Sequence, residues 1–276
     1  MLNCRGRLLD LAEPVVMGIL NVTPDSFYDG GRYADVDAVL RRAEAMLSEG
    51  ATVLDVGGES SRPGAEPVSE REELRRVLPV IEAVSRHFPE AYLSVDTVRR
   101  RVAAEAAQVG AHIINDISAG IFPLPDAENP EPLAGMPYVL MHMQGTPRTM
   151  QQAPAYADVV QEVLDFFIQK LAALRQAGVH DVLLDVGFGF GKSLEHNYAL
   201  LKHLGSIKAV LGLPMLVGLS RKSMINKALG IRAADALNGT TALHMFALQQ
   251  GADMLRVHDV REAAQSIRLW QMYRDA

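Results

Sequence analysis

The stretch "VVMGILNVTPDSFYDGG", Val15 to Gly31, decides the reading of the fold. Its first half, Val15 to Val22, is apolar at both parities through Val16, Met17, Ile19 and Leu20. A strand with one wet face alternates; a near-continuous apolar run marks a strand covered on both faces, as in a parallel sheet. The second half turns polar at once, with Asn21, Thr23, Pro24, Asp25, Ser26 and Asp29 before the Gly30-Gly31 pair. The polar chemistry therefore arrives where the strand ends.

The same design recurs along the chain. The runs "ATVLDVGG", "AYLSVDT", "HIINDIS", "YVLMHM", "DVLLDVG", "MLVGLS" and "DMLRVHD" read as seven more buried strands. Helical patterns lie between them. Asp37–Ser48 carries Val39, Leu40, Ala43 and Leu47, Ser69–Phe88 carries Leu74, Val77, Leu78, Ile81 and Val84, and Val159–Ala177 carries Val163, Phe166, Phe167, Leu171 and Leu174. Gly50, Gly110, Gly178 and Gly251 fall between a helix and the next strand, the place of a left-handed C-cap. Eight β-then-α units predict a (β/α)₈ TIM barrel, a fold of about 250 residues. An open doubly wound sheet is the alternative, but its Gly-rich turn after the first strand is absent. The 276 residues are read as one domain, 1–276, and "IFPLPDAENPEP" as a loop or shortened helix after the fourth strand.

Composition narrows the function classes. A net charge of -6 gives no basic footprint for nucleic acid, though a local basic pocket stays open. No run nears the ~18 apolar residues of a membrane span. Arg5 and Arg7 are followed by no apolar stretch, so no signal peptide is expected. A single cysteine, Cys4, makes neither an intrachain disulfide nor a cysteine metal cluster. A cytoplasmic location is expected.

Polar residues crowd the C-terminal ends of the strands: Asn21, Asp55, Asp96 and Thr97, Asn115 and Asp116, His142, Asp185, Ser220 to Lys222, then Arg256 and His258. In a barrel these ends form one ring, the place of catalytic groups. Any single one could merely cap a helix, as Asp96 could before "TVRR". Asp96, Asn115 and Asp185 together suit a flat heterocycle bearing N–H donors and a carbonyl, because a carboxylate accepts two parallel N–H bonds and an amide matches a donor and an acceptor. Arg221, Lys222, Arg256 and His258 add cations that fit a phosphate or pyrophosphate. His142 and His258 could equally be core histidines. "DVGFGFGKS" lacks P-loop spacing, and Phe188 and Phe190 either line an aromatic pocket or pack the rim.

In order and along almost the whole chain, "MGILNVTPDSFYDGG", "DVGGESSRPGA", "SVDT", "NDIS", "MHMQGTPRTMQ", "DVGFGFGKS", "GLSRKS" and "RVHDV" resemble the dihydropteroate synthase family. The resemblance implies a transferase of folate biosynthesis, target of the sulfonamides. It joins 6-hydroxymethyl-7,8-dihydropterin diphosphate to 4-aminobenzoate, giving 7,8-dihydropteroate and pyrophosphate, and needs Mg2+. It implies that Asp96, Asn115, Asp185 and Lys222 hold the pterin, that Asn21 meets Mg2+ and the diphosphate, and that Arg256 and His258 hold the diphosphate. Phe190, Lys222 and Ser223 would border the aminobenzoate. The loops around Phe27 and Asp29 and around Ser61, Arg62 and Pro63 would close over both substrates. A homodimer through the later helices is implied as well.

Breaking the C–O bond to diphosphate leaves positive charge on the methylene beside the ring. Arg256, His258 and Mg2+ would stabilise the departing anion and Asp29 the transient cation, with Lys222 among the catalytic groups. No covalent nucleophile is needed. Three positions depart from the family's habit: Ser61 stands for the common Thr, Tyr28 for Ser and Val186 for Pro. Ser61 keeps the hydroxyl but loses a methyl, which bears on sulfonamide response. The alternatives are a pterin-dependent methyltransferase on the same barrel, which would not need Asn21, Arg256 and His258 for a diphosphate, and a non-catalytic pterin-binding paralogue.

Overall fold

Alternation of side chains along a strand, combined with parallel pairing, determines what reaches the barrel interior. The computed structural model describes residues 1–22, 32–59, 68–118, 135–145, 150 and 154–276. Within them run β1 (Leu2–Cys4), β2 (Arg7–Leu9), β3 (Val15–Asn21), α1 (Arg32–Ser48), β4 (Val53–Gly57), α2 (Glu70–His87), β5 (Tyr92–Asp96), α3 (Arg100–Gln108), β6 (Ile113–Asp116) and β7 (Tyr138–Met141). There follow α4 (Val159–Gln176), β8 (Val182–Asp185), α5 (Leu194–Lys202), α6 (Leu204–Leu211), β9 (Leu216–Val217), α7 (Ser223–Leu229), α8 (Leu237–Gln249), β10 (Met254–Val257) and α9 (Val260–Arg274).

Strands β3 to β10 form one eight-stranded sheet in the order β8-β7-β6-β5-β4-β3-β10-β9, all pairs parallel. A parallel bridge between Leu184 and Met215 joins the two outer strands, with Leu184 N donating to Pro214 O at 2.9 Å, and the sheet closes into the expected (β/α)₈ barrel. Outward residues such as Leu54, Val56, Leu93, Val95, Leu140, Leu184 and Leu255 pack under the helices against Val39, Met46, Val77, Ile81, Phe167 and Leu171. The anticipated helix from Ser69 to Phe88 is α2 with those two residues as its caps, and α4 starts at Val159 behind an Asp158 cap. Gly50, Gly110, Gly178 and Gly251 all have positive φ, as C-cap positions require.

The inward residues change character along the barrel axis. At the N-terminal ends Met17, Val53, Ile113, Val139, Leu183, Leu216 and Met254 form an apolar cluster with Leu2, Cys4, Leu9 and Leu11. Leu2, Cys4 and Leu9 belong to an antiparallel hairpin, β1–β2, that plugs the bottom of the barrel, and Leu11 follows it; the hairpin's tight turn places Arg5 and Gly6 at φ 56° and 87°. The next inward positions toward the C-terminal end are polar. One register row runs Asn21–Gly57–Asp96–Asn115 across four adjacent strands. No helix among the described residues is long and apolar enough to cross a membrane.

Candidate active site

The polar layer begins at Arg256 of β10. Its Nε donates to Asp55 Oδ2 at 2.7 Å and its Nη2 to Asp96 Oδ2 at 2.6 Å. Asn115 Nδ2 donates to the same Asp55 oxygen at 2.9 Å. Asp55 is fully buried, and its Oδ1 has no hydrogen-bond partner among the described residues. One guanidinium thus joins two carboxylates, and the Asp55 carboxylate also orients the Asn115 amide. Burial works against the Arg256 charge, but Asp55 and Asp96 more than offset it and hold the group protonated. Burial raises the pKa of Asp96, and the Arg256 charge pulls it back. Helix α3 begins after an Arg99 cap, so Asp96 is a member of this cluster and not the cap of "TVRR".

A second group gathers opposite. A Cβ placed on Gly218 would lie 3.6 Å from Asp185 Oδ2, 3.8 Å from Lys222 Nζ and 3.9 Å from the Cβ of Arg256, so these three surround one point. Asp185 Oδ1 accepts from Gly187 N at 2.8 Å, which steadies the carboxylate. Burial raises the Asp185 pKa, opposed chiefly by Lys222. Lys222 caps α7; its Nζ donates to Phe188 O at 2.7 Å and lies 4.7 Å from the centre of the Phe190 ring. Burial lowers its pKa to about 8, with Asp185 pulling upward. Phe190 packs with Met141, Met143 and Met150 at the rim, and Ser223 is exposed as the first residue of α7. Phe188 points away from the mouth into the helix-facing core.

Two of the three glycines of "DVGFGFGKS", Gly187 and Gly191, serve packing between turns. Gly187 has φ 69° and would put a Cβ 1.9 Å from His142 O; Gly191, at φ 63°, would put one 2.4 Å from Gln144 O. Only glycine lets the turn after β8 lie this close to the turn after β7. Asn21 Oδ1 lies 3.6 Å from the Cβ position of Gly57, beside Asp96. His258 Nδ1 is 3.1 Å from Ser220 Oγ, and its backbone carbonyl accepts from Arg42 at 3.1 Å.

The structure therefore brings Asn21, Asp96, Asn115, Asp185, Lys222, Arg256, His258 and Phe190 to one mouth. Phe27, Asp29, Ser61, Arg62 and Pro63 lie outside the described residues, as do Tyr28 and "IFPLPDAENPEP". Arg221 differs from the expected cation set. It forms a two-bond ion pair with Asp259, both distances 2.8 Å, and donates to the carbonyls of Ala233 and Ala234. Asp55 was named among the strand ends but given no role, and Lys192 was missed. Asp55 shares the inward parity of the strand ends, a signal available in the sequence. Lys192, buried between the turns after β7 and β8, had none. Among the described residues no three His, Cys, Asp or Glu side chains gather as a metal site.

Comparison with known proteins agrees with this geometry. The family described as "Pterin binding enzyme" matches residues 17–258. The dihydropteroate synthase of Escherichia coli K12 is 50% identical over 267 residues, 96% of this chain and 93% of the relative. The Yersinia pestis dihydropteroate synthase, solved as a sulfonamide drug complex, superposes with a TM-score of 0.91 at 47% identity, covering 100% of this chain and 99% of that one. The Xanthomonas albilineans dihydropteroate synthase, solved with 4-aminobenzoic acid, gives 0.89 at 43% identity, covering 100% and 98%. These relatives carry the synthase name. An inward polar layer in register with eight strands, matched over nearly the whole length by these enzymes, means that the chain belongs to the dihydropteroate synthase family of pterin-binding barrels.

Proposed function

We infer that the chain condenses 6-hydroxymethyl-7,8-dihydropterin diphosphate with 4-aminobenzoate, releasing pyrophosphate, as a transferase of folate biosynthesis. The observation that carries this is the gathering of Asp185, Lys222 and Arg256 around one point, with Asp96 and Asn115 tied to the same arginine. Such a site presents carboxylate and amide acceptors to the N–H edge of an aminopyrimidinone and an ammonium to its carbonyl. Asp96, Asn115, Asp185 and Lys222 hold the pterin in this reading.

The reaction is a displacement at the pterin methylene. The C–O bond breaks, its electron pair leaves with the diphosphate, and the aryl amine nitrogen forms the new C–N bond and loses a proton to solvent. Arg256 and His258 face the departing anion, and Asp29 balances the positive methylene. Phe27, Ser61, Arg62, Pro63, Phe190, Lys222 and Ser223 border the aminobenzoate, and holding the amine in line supplies much of the acceleration. The donor set fits Mg2+: Mg2+ keeps several waters and takes few protein oxygens, and Asn21 Oδ1 offers one beside the expected diphosphate. Bound there, the ion would neutralise charge on the leaving group.

We place the enzyme in the cytoplasm, in keeping with a lone buried thiol, and as a homodimer through α8 and α9, whose Phe246, Leu269 and Met272 are exposed. The deciding experiment incubates purified protein with Mg2+, the pterin diphosphate and 4-aminobenzoate and measures pyrophosphate. No release at any substrate or Mg2+ concentration tried would refute the activity. Light scattering at twice the chain mass supports the dimer; the mass of one chain refutes it.

A further inference from the structure

Lys192 is 3% exposed, and no step of the proposed reaction uses it. A protonated lysine has three N–H donors. Three acceptors surround this one: Phe190 O at 2.9 Å, His142 Nδ1 at 3.0 Å and His142 O at 3.2 Å. His142 follows β7, while Phe190 lies in the turn after β8, so one ammonium ties two active-site turns together. Burial, aided by the Lys192 charge, lowers the His142 pKa to about 3. The ring is therefore neutral, with Nδ1 as acceptor and the proton on Nε2. Its face is fixed by Phe166, edge-on at 4.9 Å between centroids. Tyr156 Oη adds a bond to Gly191 O at 2.8 Å. Burial also draws the Lys192 pKa down to about 7, with the Asp185 carboxylate pulling upward.

The same turn carries two groups of the site: the Phe188 carbonyl that takes the Lys222 ammonium and the Phe190 ring beside it. We propose that Lys192 is a positioning residue for the aminobenzoate side of the site, fixing the Phe190 ring against Lys222 by binding the turn after β8 to His142. This rests on the synthase reading. A neutral amide offers two N–H groups, so only an ammonium satisfies all three acceptors.

The test, run at pH 6 where Lys192 carries its proton, compares wild type with Lys192→Met in steady-state kinetics, with calorimetry of a pterin ligand, 6-hydroxymethylpterin, and a thermal melt. Wild-type pyrophosphate release tests the synthase reading itself. Given that release, Lys192→Met is expected to raise KM for 4-aminobenzoate about tenfold or more, since small displacements in a site are costly, while pterin affinity stays within about threefold. Lys192→Gln, keeping two donors, should fall between. An unchanged aminobenzoate KM in a folded variant overturns the proposal, as does parallel loss of pterin and aminobenzoate binding. If both variants fail to fold, nitrogen NMR of wild-type His142 decides: an unprotonated Nδ1 supports the ammonium–imidazole bond, and a protonated Nδ1 removes it.

Discussion

Arg256 and Asp96 stand 160 positions apart in the chain and meet at 2.6 Å across the barrel mouth. The same guanidinium binds Asp55 through Nε, so its planar fork serves two carboxylates at once. The sequence reading assigned Arg256 to the diphosphate; in the structure its resting partners are the carboxylates below. Losing it strands two carboxylates, one of them fully buried. Arg256→Met should therefore cost stability as well as turnover, about 3 kcal/mol in urea denaturation. The double variant Asp96→Asn/Arg256→Met should recover part of that loss. Wild-type stability in the single variant would show that the cluster does not depend on this cation.

Asp96, proposed to hold the pterin, stands in the same register row as Asn21 and Asn115. A hydrogen bond to a charged group contributes about 1.5–3 kcal/mol. Asp96→Ala should thus weaken pterin binding at least tenfold by calorimetry. Unchanged affinity would remove Asp96 from the pterin site.

Lys222 separates stability from function as pH rises. Its native pKa, about 8, lies below the reference 10.5, so the unfolded chain holds the proton longer. From about pH 8 to 10.5 the unfolded state binds more protons, and this group's contribution to stability increases with pH. Over the same interval the ammonium that meets Phe188 O is lost, so pterin affinity and turnover should fall above pH 8. Lys222→Met should abolish the pH dependence of binding in this range. A pterin affinity that stays flat to pH 10 in wild type would contradict this role.

What was legible follows from physics that acts locally. All eight barrel strands were visible because strands covered on both faces need continuous apolar runs, and parity then carried Asp96, Asn115 and Asp185 to one mouth. The β1–β2 hairpin was not visible: "LNC" and "RLL" are too short to show a period, and their partners are the distant ends of the barrel strands. Nor could spacing reveal which cation meets which anion. Arg221 turning to Asp259, Arg256 to Asp55 and Lys192 to His142 are choices of rotamer and loop path between residues remote in the chain. Ser61 and Tyr28 depart from the family's habit outside the described residues, whereas Val186 is fully buried in the helix-facing core, where an apolar branched side chain packs well.

Gly187 tests the close approach of the two turns. Alanine there must hold φ 69° and place its Cβ 1.9 Å from His142 O, so backbone has to move. Gly187→Ala should lose about 2 kcal/mol or more in a denaturant titration. Because Asp185 Oδ1 accepts the Gly187 N–H, pterin affinity should fall with it. A variant as stable as wild type would mean that the turn relaxes freely.

Cys4 reports on the barrel floor. It is fully buried beneath the inward apolar layer, and burial, with Asp181 adding to the effect, pushes its thiol up to about 12. The thiolate is the reactive form, so at pH 8 a thiol reagent should leave the folded protein unlabelled. It should label once denaturant opens the chain. As this is the sole cysteine, the labelling rate measures opening of the hairpin plug directly. Cys4→Ser puts a hydroxyl into that apolar cluster and should cost about 1–3 kcal/mol. Turnover per folded molecule should be unchanged, because the plug lies at the end of the barrel opposite the polar layer. Rapid labelling of the native protein would show that the hairpin opens independently of the barrel, and that the apolar floor is sealed by the strands' own side chains.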